Sequence, residues 1–305
     1  MTTSELRAFP APVRGKLIAK RPGPWSYVAA IVVLFFAAAL LDAAVTNKNF
    51  GWPVVAEYLF DPSIINGLLL SLWLMALVMV IGSVLGLILA IMRLSSNRIL
   101  STASALYVWF FRGTPLLIQV IFWFNIAALF PTIGLEIPFG PTLFGVDANR
   151  LITPLTAALL ALSLNEAALM AEVIRGGLLG VNRGQAEAAR ALGMKPAQVY
   201  RIIIPQAVRM IIPPTGNNLV GAFKNTSLVS IIGLTDLLHS AQIIYSLNYQ
   251  TIPLLIVVGL WYLFVTSVLG YVQQLLEARY SRGFVPRRVR GKKAETSKRG
   301  EDVHA

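Results

Sequence analysis

Apolar residues in this chain gather in long blocks separated by short polar stretches. Six blocks stand out, at roughly 25–45, 64–92, 103–130, 151–172, 213–233 and 252–277. A helix rising 1.5 Å per residue needs about 20 residues to cross a hydrocarbon core of about 30 Å. Each block therefore predicts a spanning helix, and the longer second and third predict tilt or extension past the bilayer. The outer stretch 131–150 is rich in proline and glycine and predicts ordered turns. Segment 234–248 is amphipathic at helical spacing and predicts a helix lying on the outer surface. The stretch 175–212 is different in kind, being polar and basic. Gly184 to Leu192 contains good helix formers. Gly193 can end that helix in a left-handed conformation, and Pro196 suits the first turn of the next. Pro205 then predicts a break or kink.

Composition agrees with a membrane chain: 56% of residues are hydrophobic and 13% charged, against about a quarter charged in soluble domains. The formal charge of +12 would suggest nucleic acid in a soluble protein. Its distribution argues otherwise. Of 26 Lys and Arg, 22 fall on one side of the predicted spans, two (Lys48 and Arg150) on the other, and Arg112 and Lys224 within apolar blocks. The positive-inside rule makes the basic side cytoplasmic, with both termini and the 175–212 loop there. A basic N-tail (1–24), a membrane domain (25–280) and a disordered basic C-tail (281–305) near anionic headgroups follow. The first block is longer than a signal-peptide core of about 7–15 residues and reads as a retained helix. Cysteine is absent, which excludes disulfides and cysteine-based metal or nucleophile chemistry. No phosphate-binding Gly-rich Lys-Ser/Thr loop and no HExxH occur, so neither ATP hydrolysis nor zinc catalysis is expected of this chain.

Charges at bilayer depth are costly and usually face a cavity or a partner. Lys224 lies in the fifth block. Asn217, Gly221, Lys224 and Leu228 share one helical face, and Asn218, Gly221 and Asn225 the adjoining one. Lys224 could meet a substrate carboxylate while Asn218, Asn225 or Ser227 contacts the rest. Alternatively it pairs with a carboxylate or carbonyl and fixes helix packing. Arg112 could bind substrate or anchor a bent helix end beside Gly113 and Pro115. Glu166, next to Asn165, could pair with Arg112 or Lys224. Glu172 reads as a cytoplasmic-boundary residue, and Asp42, Asp236 and His239 as interfacial or outer-face residues. On the residues alone, the 175–212 loop reads equally as a docking helix, with Glu187 and Arg190 as directional charges, or as an ordinary solvated connection.

Glu187-Ala188-Ala189, Gly193, Ile203 and Pro205 resemble the EAA loop of permease subunits of ATP-binding cassette importers. Phe111-Arg112-Gly113-Thr114-Pro115-Leu116-Leu117, Glu172 with Arg175-Gly176-Gly177, Gly184-Gln185, Pro205-Gln206-Ala207 and Lys224-Asn225-Thr226-Ser227 are similar to signatures of the polar amino acid permease family. The resemblance covers roughly 60–280. It implies an all-α membrane protein of type I fold, with one extra N-terminal helix before a five-helix core and a cytoplasmic coupling helix. The function it implies is the pathway subunit of an ATP-driven amino acid importer in a bacterial inner membrane. Partners would be cytoplasmic ATPase subunits that hold ATP and Mg, an extracytoplasmic amino acid-binding protein, a second permease subunit and lipid. Coupling residues would be Gly184, Glu187, Ala188, Ala189, Arg190, Gly193 and Pro205. Pathway residues would be Lys224, Asn218, Asn225, Ser227, Arg112 and Glu166. Three departures stand out: twelve steps from Gly193 to Pro205 where the family usually has thirteen, Leu169 where it often has Tyr, and Asn218 and Asn225 where it often has acidic residues. The last weakens the expectation of a cationic substrate. An ion-coupled secondary amino acid transporter, or a non-transporting membrane scaffold or sensor, is the alternative.

Overall fold

The computed structural model describes residues 23–136 and 142–280. The basic tails predicted at 1–24 and 281–305 lie outside the described residues, save Gly23 and Pro24. The chain divides into two units. The first, ending at Trp52, is built on α1 (Pro24–Thr46), a helix of alanine and large apolar residues exposed along nearly its whole length. Asn47 and a left-handed Gly51 turn the chain after it. The Trp52 indole then folds back to donate to Ala44 O at 2.8 Å.

The second unit begins with the rest of α2 (Trp52–Tyr58). Next is α3 (Pro62–Leu94), opened by Asp61, whose carboxylate accepts from Ser63 N at 2.7 Å. There follow α4 (Arg98–Gly113), α5 (Leu116–Phe124), strands β1 (Thr132–Glu136) and β2 (Thr142–Asp147), and α6 (Ala148–Leu151). The chain continues with α7 (Pro154–Leu179), α8 (Arg183–Ala191), α9 (Pro196–Asn225), α10 (Leu237–Asn248) and α11 (Thr251–Tyr280). The turns predicted at 131–150 are an antiparallel hairpin pairing Thr132 with Asp147.

The core is organised on α3 against α7. Gly82, Gly86 and Ala90 recur every fourth residue on α3, the small-residue spacing that lets two helices approach closely in a membrane. A Cβ on Gly82 would meet Glu166 Cγ at 2.7 Å, and one on Gly86 would meet Met170 Cβ at 2.6 Å and Ala167 O at 3.0 Å. The facing side of α7 answers with buried Ala167 and Ala171.

Four helices are long and apolar enough to cross a membrane among the described residues, and six spans result if each of two bent pairs counts as one. The bent pairs bear on three of those readings. Block 103–130 is two helices, α4 and α5, meeting at 101°, because Pro115 cannot continue α4. Block 213–233 is the distal part of α9, which runs unbroken through Pro205, Pro213 and Pro214 before tightening into a 3₁₀ segment, Thr226–Ile232. Pro205 therefore does not break the helix. Beside the prolines, Gln206 Nε2 donates to Ile202 O at 3.0 Å and Thr215 Oγ1 to Ile211 O at 2.8 Å, each one turn back along α9. Finally, α10 packs one face inward: Leu237, Ser240 and Ala241 are buried while Ile243 and Leu247 are exposed, and Leu237 N donates to Ser71 Oγ of α3 at 3.1 Å. Asp236, read as interfacial, is fully buried and caps α10 by accepting from His239 N at 2.9 Å and Leu238 N at 3.2 Å.

Gly86→Leu is expected to lower stability by about 1–3 kcal/mol or more by wedging α3 from α7. Gly259→Ala, where a Cβ meets nothing within 4 Å, is expected to leave it unchanged. Thermal unfolding in detergent measures both.

Candidate functional site

The loop after α7 is built by local capping. Asn182 Oδ1 accepts from Gly184 N at 2.9 Å and starts α8. Gly193 ends it at φ +74°. Gly193 N donates to Arg190 O at 2.9 Å and Met194 N to Ala189 O at 3.1 Å, the paired bonds of a Schellman stop. Pro196 opens α9 as expected, with Gln198 Oε1 accepting from Lys195 N at 2.8 Å. Ala189 of α8 and Val199 of α9 are buried, and the side-chain amides of Gln185 and Gln206 join α8 to α9. Gly184, Glu187, Ala188 and Arg190 are exposed. Neither Glu187 nor Arg190 enters an ion pair; among the described residues the one ion pair is Arg175–Glu172 at 2.7 Å. Pro205 is exposed, within α9 and away from the α8 stop. Leu192, 81% exposed, was not anticipated; an apolar residue beside a left-handed glycine on a polar helix was the available signal.

The polar residues of α9 face different neighbours. Asn217 accepts from Gln273 Nε2 of α11 at 2.9 Å. Asn218 faces α7, with Nδ2 3.6 Å from Met170 Sδ and a side-chain interaction with Glu166. Lys224 is exposed and Asn225 half-buried. Ser227 Oγ is spent locally on Lys224 O at 2.8 Å. Glu166 therefore meets Asn218 rather than Arg112 or Lys224. Its side chain is held between α3 and α7, while both cations are exposed. Arg112 ends α4 within electrostatic reach of Glu172, as does Arg93, and is not brought to the α9 residues. Glu172 itself is held bidentately by Arg175, at 3.2 and 2.7 Å.

Two further residues support the α4–α5 bend. Gln119 Nε2, on α5, lies 2.9 Å from Phe111 O and 3.1 Å from Thr114 O. Asn165 Nδ2, on α7, donates to Phe111 O at 2.9 Å. Isolated amides in apolar runs were the sequence signal.

Residues 82–282 match the family described as binding-protein-dependent transport system inner membrane component. The chain belongs to this family. The permease is 40% identical over 280 residues to an arginine transport system permease protein of Corynebacterium glutamicum, covering 90% of this chain and 85% of that one. It is 30% identical to a glutamine transport system permease protein of Escherichia coli K12, covering 75% of this chain and 94% of that one. A crystal structure of an amino acid ABC transporter with histidines aligns at TM-score 0.62 and 35% identity over 72% of this chain and 95% of its own. An inward-facing methionine ABC transporter, at 18% identity and TM-score 0.53, shares the fold. The chain is thus a membrane permease subunit of an ABC importer, and ATP hydrolysis belongs to a separate subunit.

Gln119→Ala is expected to cost about 1–3 kcal/mol by leaving buried carbonyls short of a donor. A lowered thermal midpoint, with the helical signal retained below it, is the readout.

Proposed function

We propose that this permease forms the membrane pathway of an ATP-driven amino acid importer and that α8 is the element its ATPase grips. The observation that carries the coupling assignment is the exposed polar face of α8, where Glu187 and Arg190 form no ion pair among the described residues, held by the Schellman stop at Gly193 and the Gln185–Gln206 amide pair. A short exposed helix of this kind fits a groove on a partner. The amino acid cargo is supported by the arginine and glutamine permeases named above. Charge asymmetry supports an orientation with both termini and α8 in the cytoplasm of an inner-membrane protein. The ATPases, with ATP and Mg, would then act from that side and an amino acid-binding protein from the other. A second permease subunit would complete the pathway along the face of α9 that carries Lys224.

ATP-driven closure of the ATPases would move α8, and α9 would carry that motion to Lys224, Asn218, Asn225 and Ser227. Glu187→Arg is expected to reduce ATP-dependent uptake by at least about tenfold, equivalent to about 1.4 kcal/mol, while the membrane fold is retained. Uptake in proteoliposomes and co-purification with the ATPase measure this. Unchanged coupled uptake would reject the α8 assignment, and uptake by this chain alone under an ion gradient would replace it with secondary transport. Lys224→Ala is expected to cut uptake by about tenfold with assembly intact; unimpaired transport would move the pathway elsewhere.

A further inference from the structure

Glu166 is 3% exposed on α7, and its Oε1 has no hydrogen-bond partner. Ser163, one turn earlier on the same helix, is equally buried and its Oγ is likewise without a partner. Contrast Asp236, the other fully buried carboxylate, whose two oxygens are occupied in capping α10. Glu166 has no such duty. Its α3 neighbour is Gly82, which lies against the Cβ and Cγ of the side chain, and its α9 neighbour is the neutral amide of Asn218. Its neighbours at this contact are small, Ala167 and Ala171 lying against Gly82 and Gly86. A buried carboxylate without a counter-charge is unfavourable, and no basic side chain among the described residues is placed against it.

The helices around it narrow the choice. Helix α9 has no acidic residue, and α7 has two, Glu166 and Glu172. Glu172 is already held by Arg175. Glu166 is thus the carboxylate on these two helices that no basic side chain neutralises.

We propose that Glu166 sets the cargo's charge: the transported amino acid carries a guanidinium or ammonium side chain, which the carboxylate accepts when α7 and α9 separate. In the conformation described here, the Asn218 amide occupies that place as a neutral donor a cation can displace. This rests on the importer reading above and reverses the expectation drawn from the neutral Asn218 and Asn225, since the acidic group sits on α7 instead.

The test uses the complete importer, with its ATPase and binding protein, in proteoliposomes screened against the standard amino acids. The wild type is expected to accumulate arginine or lysine in preference to glutamine. E166Q is expected to lower that uptake by at least about tenfold with ATPase assembly intact. E166Q/N218D, which moves the carboxylate across the same contact, is expected to restore it to within about threefold. A wild type that carries neutral or acidic amino acids instead overturns the charge assignment and leaves the importer reading standing. A wild type that accumulates none overturns the importer reading itself. E166Q with wild-type uptake of the basic substrate overturns the role of Glu166. Should E166Q not fold, the wild-type permease–ATPase complex decides: arginine, and not its neutral isostere citrulline, is expected to raise the melting temperature. Equal shifts, or no shift from either at saturation, overturn the proposal.

Discussion

In hydrocarbon, a backbone N–H or C=O without a partner costs several kcal/mol, and this chain interrupts its helices repeatedly. Each interruption carries its own remedy. At the α4–α5 bend, Gln119 and Asn165 cover Phe111 O and Thr114 O. Where α9 tightens, Thr226, Ser227 and Ser230 donate their hydroxyls to carbonyls three residues back. At the start of α10, Asp236 and Ser71 take up the first free N–H groups. These side chains allow α5 and α10 to change direction inside the fold, and the rest of the architecture packs around those changes.

Close contact of α3 and α7 supplies the fixed frame. Gly82 and Gly86 bring the helices together where dispersion, rather than hydrophobic exclusion, must do the holding. Against this frame α9 docks by a second set of small residues: Gly177 of α7 meets Ile211 and Ala207 O. The proposed coupling route runs along α9 itself. Its first turns are tied to α8, its last residues are Lys224 and Asn225, and no break intervenes despite three prolines. A displacement imposed at α8 therefore has an unbroken helix to travel along.

What could be read from residues alone was what local rules decide. Gly193 and Pro196 announce a stop and a start because left-handed geometry and a missing N–H are properties of single residues. The apolar blocks announced helices for the same reason. The roles of Gln119, Asn165 and Asp236 were not legible. Phe111 lies 54 residues from the Asn165 that bonds it, and nothing near either one states the pairing. Asp236 appeared interfacial because its own segment is amphipathic; its burial depends on Gly67, where a Cβ would meet Ser240 Oγ and Asp236 O. Pro205 misled in the other direction, since α9 runs through it without a break, as membrane helices tolerate when packed among others.

Lys224 and Glu166 show how differently one chain can treat two charges at depth. Glu166 is enclosed by α3, α7 and α9, so its environment is set entirely within this subunit. Lys224 is exposed, on a helix that otherwise buries Ala222 and Phe223 beside it. An ammonium at that depth is too costly to leave against acyl chains. In the proposed importer its face of α9 would border a water-filled cavity or another polypeptide, and a second permease subunit closing the pathway would meet both conditions. The exposure of Lys224 in the single chain thus favours the proposal that a second subunit completes the pathway.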